Sequence, residues 1–293
     1  MCKNKLFLAL SFLVLFFLWS STYTAVTIAL NAFSPGGLAL FRFSIASVLL
    51  FIVSRRCKIN YPDKKDLPLI LVCGFLGVSV YNLILFYGQK NIPVAVSSIL
   101  LNTYPIFVAT FSFLIFKEYI NIFKLIGIII SFIGILIVSG GEVFEFSFNS
   151  SILLILLAAI IVSLFDIEQK QLMKKYTPLE LTCYFIWSGT LFLLVFSGTL
   201  IHDFMGIDFN SFASAVYLGV FPSVIATLIW SKLILKYSIT SLSCCCYITP
   251  FFAMLLAFLF LHQIPKSSVI TGSIIVITGL LISNFSKNLK VKL

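Results

Sequence analysis

Ten apolar stretches, each close to the length that crosses a bilayer, follow one another with almost nothing between them. A membrane's hydrocarbon core asks for about 20 consecutive apolar residues per helix. The stretches fall at 6–30, 36–54, 67–88, 93–116, 122–140, 151–169, 179–201, 211–231, 239–261 and 268–286. The longest connection, RRCKINYPDKKD at 55–66, is too short to fold by itself. A soluble domain could not cover 60% apolar residues with 10% charged ones, and a mean hydropathy of +1.12 puts lipid around most of the surface. The expected fold is therefore all-α integral membrane, with ten transmembrane helices.

Charge placement supports that count. The formal charge of +10 would suggest nucleic acid in a soluble protein, but here the basic residues lie in bursts between apolar runs. With the N-terminus in the cytoplasm, seventeen Lys and Arg fall in inside loops, while only Lys90 and Lys266 fall outside; Arg42 lies within a span. Losing or adding one helix would scramble this positive-inside bias. Both termini are expected to be cytoplasmic, in the cell inner membrane of a bacterium. Lys3 and Lys5 before a run that continues to Leu30 read as an uncleaved first helix, since the run is too long for a signal-peptide core.

The chain also repeats itself. Residues 95–118 (AVSSILLNTYPIFVATFSFLIFKE) lie over 240–263 (TSLSCCCYITPFFAMLLAFLFLHQ) without a gap. Pro105 then matches Pro250, Ser98 matches Ser243, Gly127 matches Gly272 and Gly134 matches Gly279, all at an offset of 145. Pro35 matches Pro178 at 143. Helices 1–5 thus correspond to helices 6–10, which divides the chain into 1–142 and 143–293. Five is odd, so the second copy enters the membrane inverted, the plan of many secondary transporters.

Several segments carry a family resemblance: LWSSTY at 18–23, PGGLALFRF at 35–43, VSSILLNTYPIFVATFSFLIFKE at 96–118 and LIGIIISFIGILIVSGG at 125–141. YTPLELTCYFIWSG at 176–189, YITPFFAMLLAFLFLHQ at 247–263 and TGSIIVITGLLIS at 271–283 extend it into the second copy. The chain resembles the drug/metabolite transporter superfamily, in its ten-helix branch with two EamA domains. The resemblance implies transport of an amino acid, another metabolite or a drug. It also implies a Glu closing the fourth and ninth helices; Glu118 fits and Gln263 departs. An Arg at the place of Arg42 is common in the family.

Pro105 and Pro250 stand about twelve residues into their helices, where a proline removes a donor and frees a carbonyl. Lipid tolerates such a break only against protein or a wet cavity, so the matched prolines point to a central site. Simple kinking is the other use. Asn102, Tyr23, Tyr104 and Tyr247 place hydrogen-bonding groups far from water, and Trp19 accompanies them. Helix 8 adds Ser223, Thr227 and Trp230. Arg42, about 9 Å inside its helix by a rise of 1.5 Å per residue, either binds an anionic group of the cargo or snorkels and pairs structurally. Asp166 and Glu168, next to Lys170, read as solvated end charges, with uptake of a coupling proton as the alternative. The paired glycines read as close helix packing.

Cys244, Cys245 and Cys246 point about 100° apart in turn and cannot converge on a metal. No HExxH, Walker loop or Gly-x-Ser-x-Gly is present, so no cofactor and no ATP coupling within this chain are expected. The expected function is a secondary transporter of a small metabolite, not an enzyme, acting by alternating access as a monomer or homodimer. A membrane-embedded enzyme acting on a lipid or isoprenoid is the alternative, and it lacks a convergent set of acids, His or a nucleophile.

Overall fold

The computed structural model describes residues 2–116, 122–143, 150–264 and 266–284. Among them the chain is helical throughout, with no strand. The helices are α1 (Cys2–Ala29), α2 (Pro35–Cys57), α3 (Leu67–Gln89), α4 (Val94–Ile115), α5 (Ile122–Val143), α6 (Ser150–Leu172), α7 (Pro178–Gly206) and α8 (Phe209–Lys236). They continue with α9 (Ile239–Cys245, a tight turn at Cys246–Ile248, then Thr249–Leu261) and α10 (Ser267–Asn284). Seven of these, α1–α4 and α6–α8, are long and apolar enough to cross a membrane among the described residues. In α5, α9 and α10 the qualifying apolar stretches are shorter: Leu125–Gly134, Thr249–Leu261 and Ile270–Gly279.

The outward surface is apolar, as Leu13, Val48, Leu191 and Phe260 illustrate. Lipid tails are as apolar as the core, so tight packing and interhelical hydrogen bonds hold the helices together. α5 and α10 come closest. A Cβ on Gly134 would stand 2.7 Å from the Gly272 carbonyl oxygen, and one on Gly279 would stand 2.5 Å from that of Gly127. Only glycine permits this approach, and Ser131 Oγ donates across it to the Val276 carbonyl at 3.2 Å.

The pairings recur five helices on. α1 packs on α8 as α6 packs on α3, α1 on α9 as α6 on α4, and α2 on α8 as α7 on α3; α2–α7 and α5–α10 map onto themselves. Ser20 Oγ donates to Phe16 O and Thr249 O, and Ser163 Oγ donates to Ala159 O and Tyr104 O, so each serine ties its helix to the break in a partner.

Four helices are irregular where they approach the centre. A π-helical turn occupies Phe75–Val80 in α3 and another occupies Phe221–Ala226 in α8. α4 breaks at Asn102–Thr103 and α9 at Cys246–Ile248. Pro105 and Pro250 therefore do not sit inside unbroken helices, as the sequence suggested. Each lies in the first turn of the segment that restarts after the break, where a missing N–H costs nothing.

Candidate functional site

The irregular turns surround a cavity of about 180 Å3 at the centre of the bundle. Its wall draws on α1, α2, α3, α4, α6, α7, α8 and α9. Of the residues singled out from sequence, Trp19, Tyr23, Arg42, Asn102 and Tyr104 line it, together with Ser223, Thr227 and Trp230. Pro105 and Pro250 do not; Pro250 faces only a small crevice beside Asn102 and Phe251. The side chain of Tyr247 lies outside what is described, as do Glu118 and its surroundings. Gln263 is described, and its Oε1 accepts from the Val94 N–H at 3.3 Å, capping α4.

Arg42 does not snorkel. It is 7% exposed, its Nε donates to Ser223 Oγ at 2.6 Å, and its Nη1 donates to Asn82 Oδ1 at 3.3 Å. The guanidinium lies over the Phe43 ring at 5.1 Å. Among the described residues no carboxylate pairs with it. Both partners are themselves held by the backbone of their helices. Pro222 cannot donate to the Leu218 carbonyl four residues back, and the Ser223 hydroxyl takes that acceptor at 2.8 Å. Asn82 Nδ2 likewise donates to Val78 O at 2.8 Å.

Asp166 corrects the reading of a solvated end charge. It is 3% exposed and lines the cavity. Its Oδ2 accepts from the Tyr104 hydroxyl at 2.5 Å and its Oδ1 from Trp230 Nε1 at 3.0 Å. Trp230 in turn packs against Trp19, ring centroids 4.9 Å apart. Proximity to Lys170 in sequence misleads because the side chain points inward. The signal available was the spacing Ser163, Asp166, Gln169, three polar residues on one face of an apolar helix.

Sequence reasoning also passed over Tyr81, Asn82, Gln89 and Gln169, which all face the cavity. Gln89 Nε2 donates to Tyr23 O at 2.5 Å and to Thr27 Oγ1 at 3.0 Å, while its Oε1 has no partner among the described residues. Asn102 Nδ2 donates to Ser98 O at 2.6 Å, which satisfies one carbonyl beside the α4 break. Among the described residues no group of His, Cys, Asp and Glu could hold a metal. The site offers a buried cation, a buried carboxylate, aromatic faces and unused amide oxygens, and these suit reversible binding of a small polar molecule.

Known proteins agree with this picture. A probable terminal-alkyne amino-acid exporter of Streptantibioticus cattleyicolor is 30% identical over 268 residues, covering 91% of this chain and 89% of that protein. The uncharacterised transporter YdfC of Bacillus subtilis is 32% identical over 280 residues, covering 95% and 91%. A solved crystal structure at 17% identity shares the fold, with a TM-score of 0.73 over 94% of this chain and 96% of that one. The model of the EamA-like transporter family matches twice, over residues 6–140 and 149–285. With a multi-pass apolar bundle and two matches that together span almost its whole length, the chain belongs to the EamA-like transporter family.

Proposed function

We propose that the chain is a secondary transporter of ten membrane-crossing helices. Two five-helix copies, 1–142 and 143–293, lie inverted in a bacterial inner membrane with both termini cytoplasmic and expose the central cavity to each side in turn. The cargo is a small metabolite, and the relative named as an amino-acid exporter favours the amino-acid end of that range. The observation that carries the reading is the cavity itself: α3, α4, α8 and α9 all lose regular helix at its wall, where freed backbone groups can meet cargo or water.

The inverted arrangement is supported by contacts between equivalent residues. Ser47 Oγ lies 2.8 Å from Thr190 Oγ1, at the same spacing of 143 that relates Pro35 to Pro178. Ser131 bonds Val276 at a spacing of 145. Contacts of a position with its own counterpart are what a twofold axis produces.

Alternating access also needs two doors, and the same spacing marks them. At the start of α2, Ser34 N and Oγ donate to Asp203 Oδ2 at 2.9 and 2.8 Å. At the start of α7, Glu180 Oε1 accepts from Asn60 N and Nδ2, both at 3.1 Å. Adding 143 turns Ser34 into Thr177, Gly37 into Glu180 and Asn60 into Asp203. Each junction is thus bolted by one carboxylate, and α7 carries both, Glu180 in its first turn and Asp203 near its end. A Cβ on Gly37 would stand 2.0 Å from Asp203 Oδ2, so the residue equivalent to Glu180 must be glycine for the exchanged bolt to fit.

The test is counterflow in proteoliposomes with a broad metabolite panel, amino acids included. Exchange of at least one cargo is expected. A panel in which nothing moves under either an imposed proton or cargo gradient would overturn the proposal.

A further inference from the structure

The scaffold is nearly symmetric, and the charges in its cavity are not. The counterpart of Arg42 at a spacing of 143 is Phe185, and that of Asp166 is Tyr23; all four line the cavity. The first copy therefore supplies the only cation in the wall and the second the only anion, among the described residues. Arg42 stands seven residues into α2 and Asp166 six before the end of α6, about 10 and 9 Å by helical rise. In the proposed topology these helices run the same way, so the two charges occupy opposite ends of the cavity. Tyr81 stands in the field of both.

Neither charge is used up by the protein. A guanidinium has five N–H donors, and Arg42 gives one to Ser223 and one to Asn82. Trp230 Nε1–H can only donate and Tyr104 supplies a second hydrogen bond, which leaves lone pairs of Asp166 open to the cavity. The two groups do not pair with each other. An isolated charge at membrane depth is costly, and a neutral cargo would leave both uncompensated. A simple amine or a simple acid would leave one. A molecule bearing an ammonium and a carboxylate compensates both.

Resting on the transport reading above and extending it, we propose that this cavity binds a zwitterion, its carboxylate on Arg42 and its ammonium on Asp166, with its apolar part against Trp19, Phe43 and Trp230. The orphaned Gln169 Oε1, three residues from Asp166 on α6, is a further acceptor that suits a donor-rich ammonium group. Arg42 holds the anion as a fork positioned by Ser223 and Asn82. Tyr104 and Trp230 position Asp166 by each donating to one of its carboxylate oxygens.

The experiment uses the full-length protein with Trp187→Phe, so that fluorescence reports Trp19 and Trp230. The probes are L-phenylalanine, L-leucine, 5-aminovalerate, phenethylamine and phenylacetate. At least one zwitterion should bind, and the matching compound lacking either charge should bind tenfold or more weakly. Arg42→Gln should weaken the zwitterion at least tenfold while leaving phenethylamine unchanged; Asp166→Asn should weaken it equally while leaving phenylacetate unchanged. The analogue series uses unaltered cavity residues, so it remains decisive even if a charge variant misfolds. The proposal falls if a singly charged compound binds as tightly as the zwitterions, or if no zwitterion binds. Counterflow of the same probes separates the two levels. Transport of singly charged cargo alone sinks the zwitterion and keeps the transporter, whereas zwitterion binding with no flux does the reverse.

Discussion

The hydroxyls of Ser47 and Thr190 meet at 2.8 Å although 143 residues separate them, the same spacing that carries Pro35 onto Pro178. Thr190 Oγ1 also donates to Ile186 O at 2.6 Å, so the pair is anchored to the backbone of α7. Such a bond between membrane helices is worth about 0.6 kcal/mol, too little to hold α2 on α7. What it marks is position: residues related by the 143-residue spacing meet here, and in α5 and α10 Ser131 meets Val276 at a spacing of 145.

That close approach has a cost if filled. Gly134→Val would drive a branched side chain into the Gly272 carbonyl and the Val276 backbone, which cannot retreat. Overpacking of this kind costs about 1–3 kcal/mol. The variant should insert but melt at lower temperature in detergent, with α5 and α10 separating first. Gly198→Val, where a Cβ meets nothing within 4 Å, is the control and should leave the melting temperature unchanged.

The two carboxylate bolts should act on opposite membrane faces. Cys246 lines the cavity, so a variant retaining it as the sole cysteine reports solvent access. Glu180→Ala removes the bond to Asn60 while Thr177 still caps the helix through the Glu180 N–H. It should raise labelling of Cys246 by an impermeant maleimide several-fold from the cytoplasmic side alone. Asp203→Ala should raise it from the outside alone. Equal labelling from both sides in either variant would remove the bolts from the gating scheme.

Asn102 closes the first segment of α4, and its amide satisfies Ser98 O inside the cavity wall. Leucine there removes the side-chain bond, leaves Ser98 O only the backbone N–H of residue 102, and adds an apolar branch to a polar stretch of wall. Asn102→Leu should reach the membrane in normal amounts and lose transport by tenfold or more. Unchanged uptake kinetics would take Asn102 out of the site.

Outside the membrane, the Asp66 carboxylate is held below its usual range by hydrogen bonds from Lys175 at 3.0 Å and Tyr176 at 2.8 Å. A depressed folded value means the interaction stabilises above the unfolded value and fades as the pH falls through the folded one. The wild type should therefore melt slightly above Asp66→Asn at neutral pH, and the difference should begin to shrink near about pH 4 and vanish only below the depressed folded value. Because the Lys175 side chain is 58% exposed, added salt should shrink it too.

How legible this was in the sequence depends on distance along the chain. Helix boundaries, the paired glycines and the places where α4 and α9 falter follow from local composition and from the 145-residue register. Asp166 was missed for the opposite reason, although Ser163, Asp166 and Gln169 share one face of α6. Its neighbour Lys170 suggests water, and only Tyr104 and Trp230, more than sixty residues away on each side, make it an interior group. Pro105 and Pro250 were seen as the wrong kind of event. A proline signals that a helix cannot continue unaltered, but whether the chain kinks or restarts is decided by Thr103 bonding Leu100 and by the tight turn at Cys246–Ile248. Asn82 owes its use to a π turn with no composition signature, whereas the turn that holds Ser223 is marked by Pro222.

Those π turns have a consequence for how such a molecule can change. Each holds one residue more than an α-helix needs over the same rise. Deleting a single residue from 75–80 or 221–226 would leave a smooth, equally greasy rod of nearly the same length. The helix beyond the deletion would keep its facing, but the wall would lose the widened turn that sets Asn82 or Ser223 beside Arg42. A hydropathy plot would register no difference between the working protein and its emptied copy.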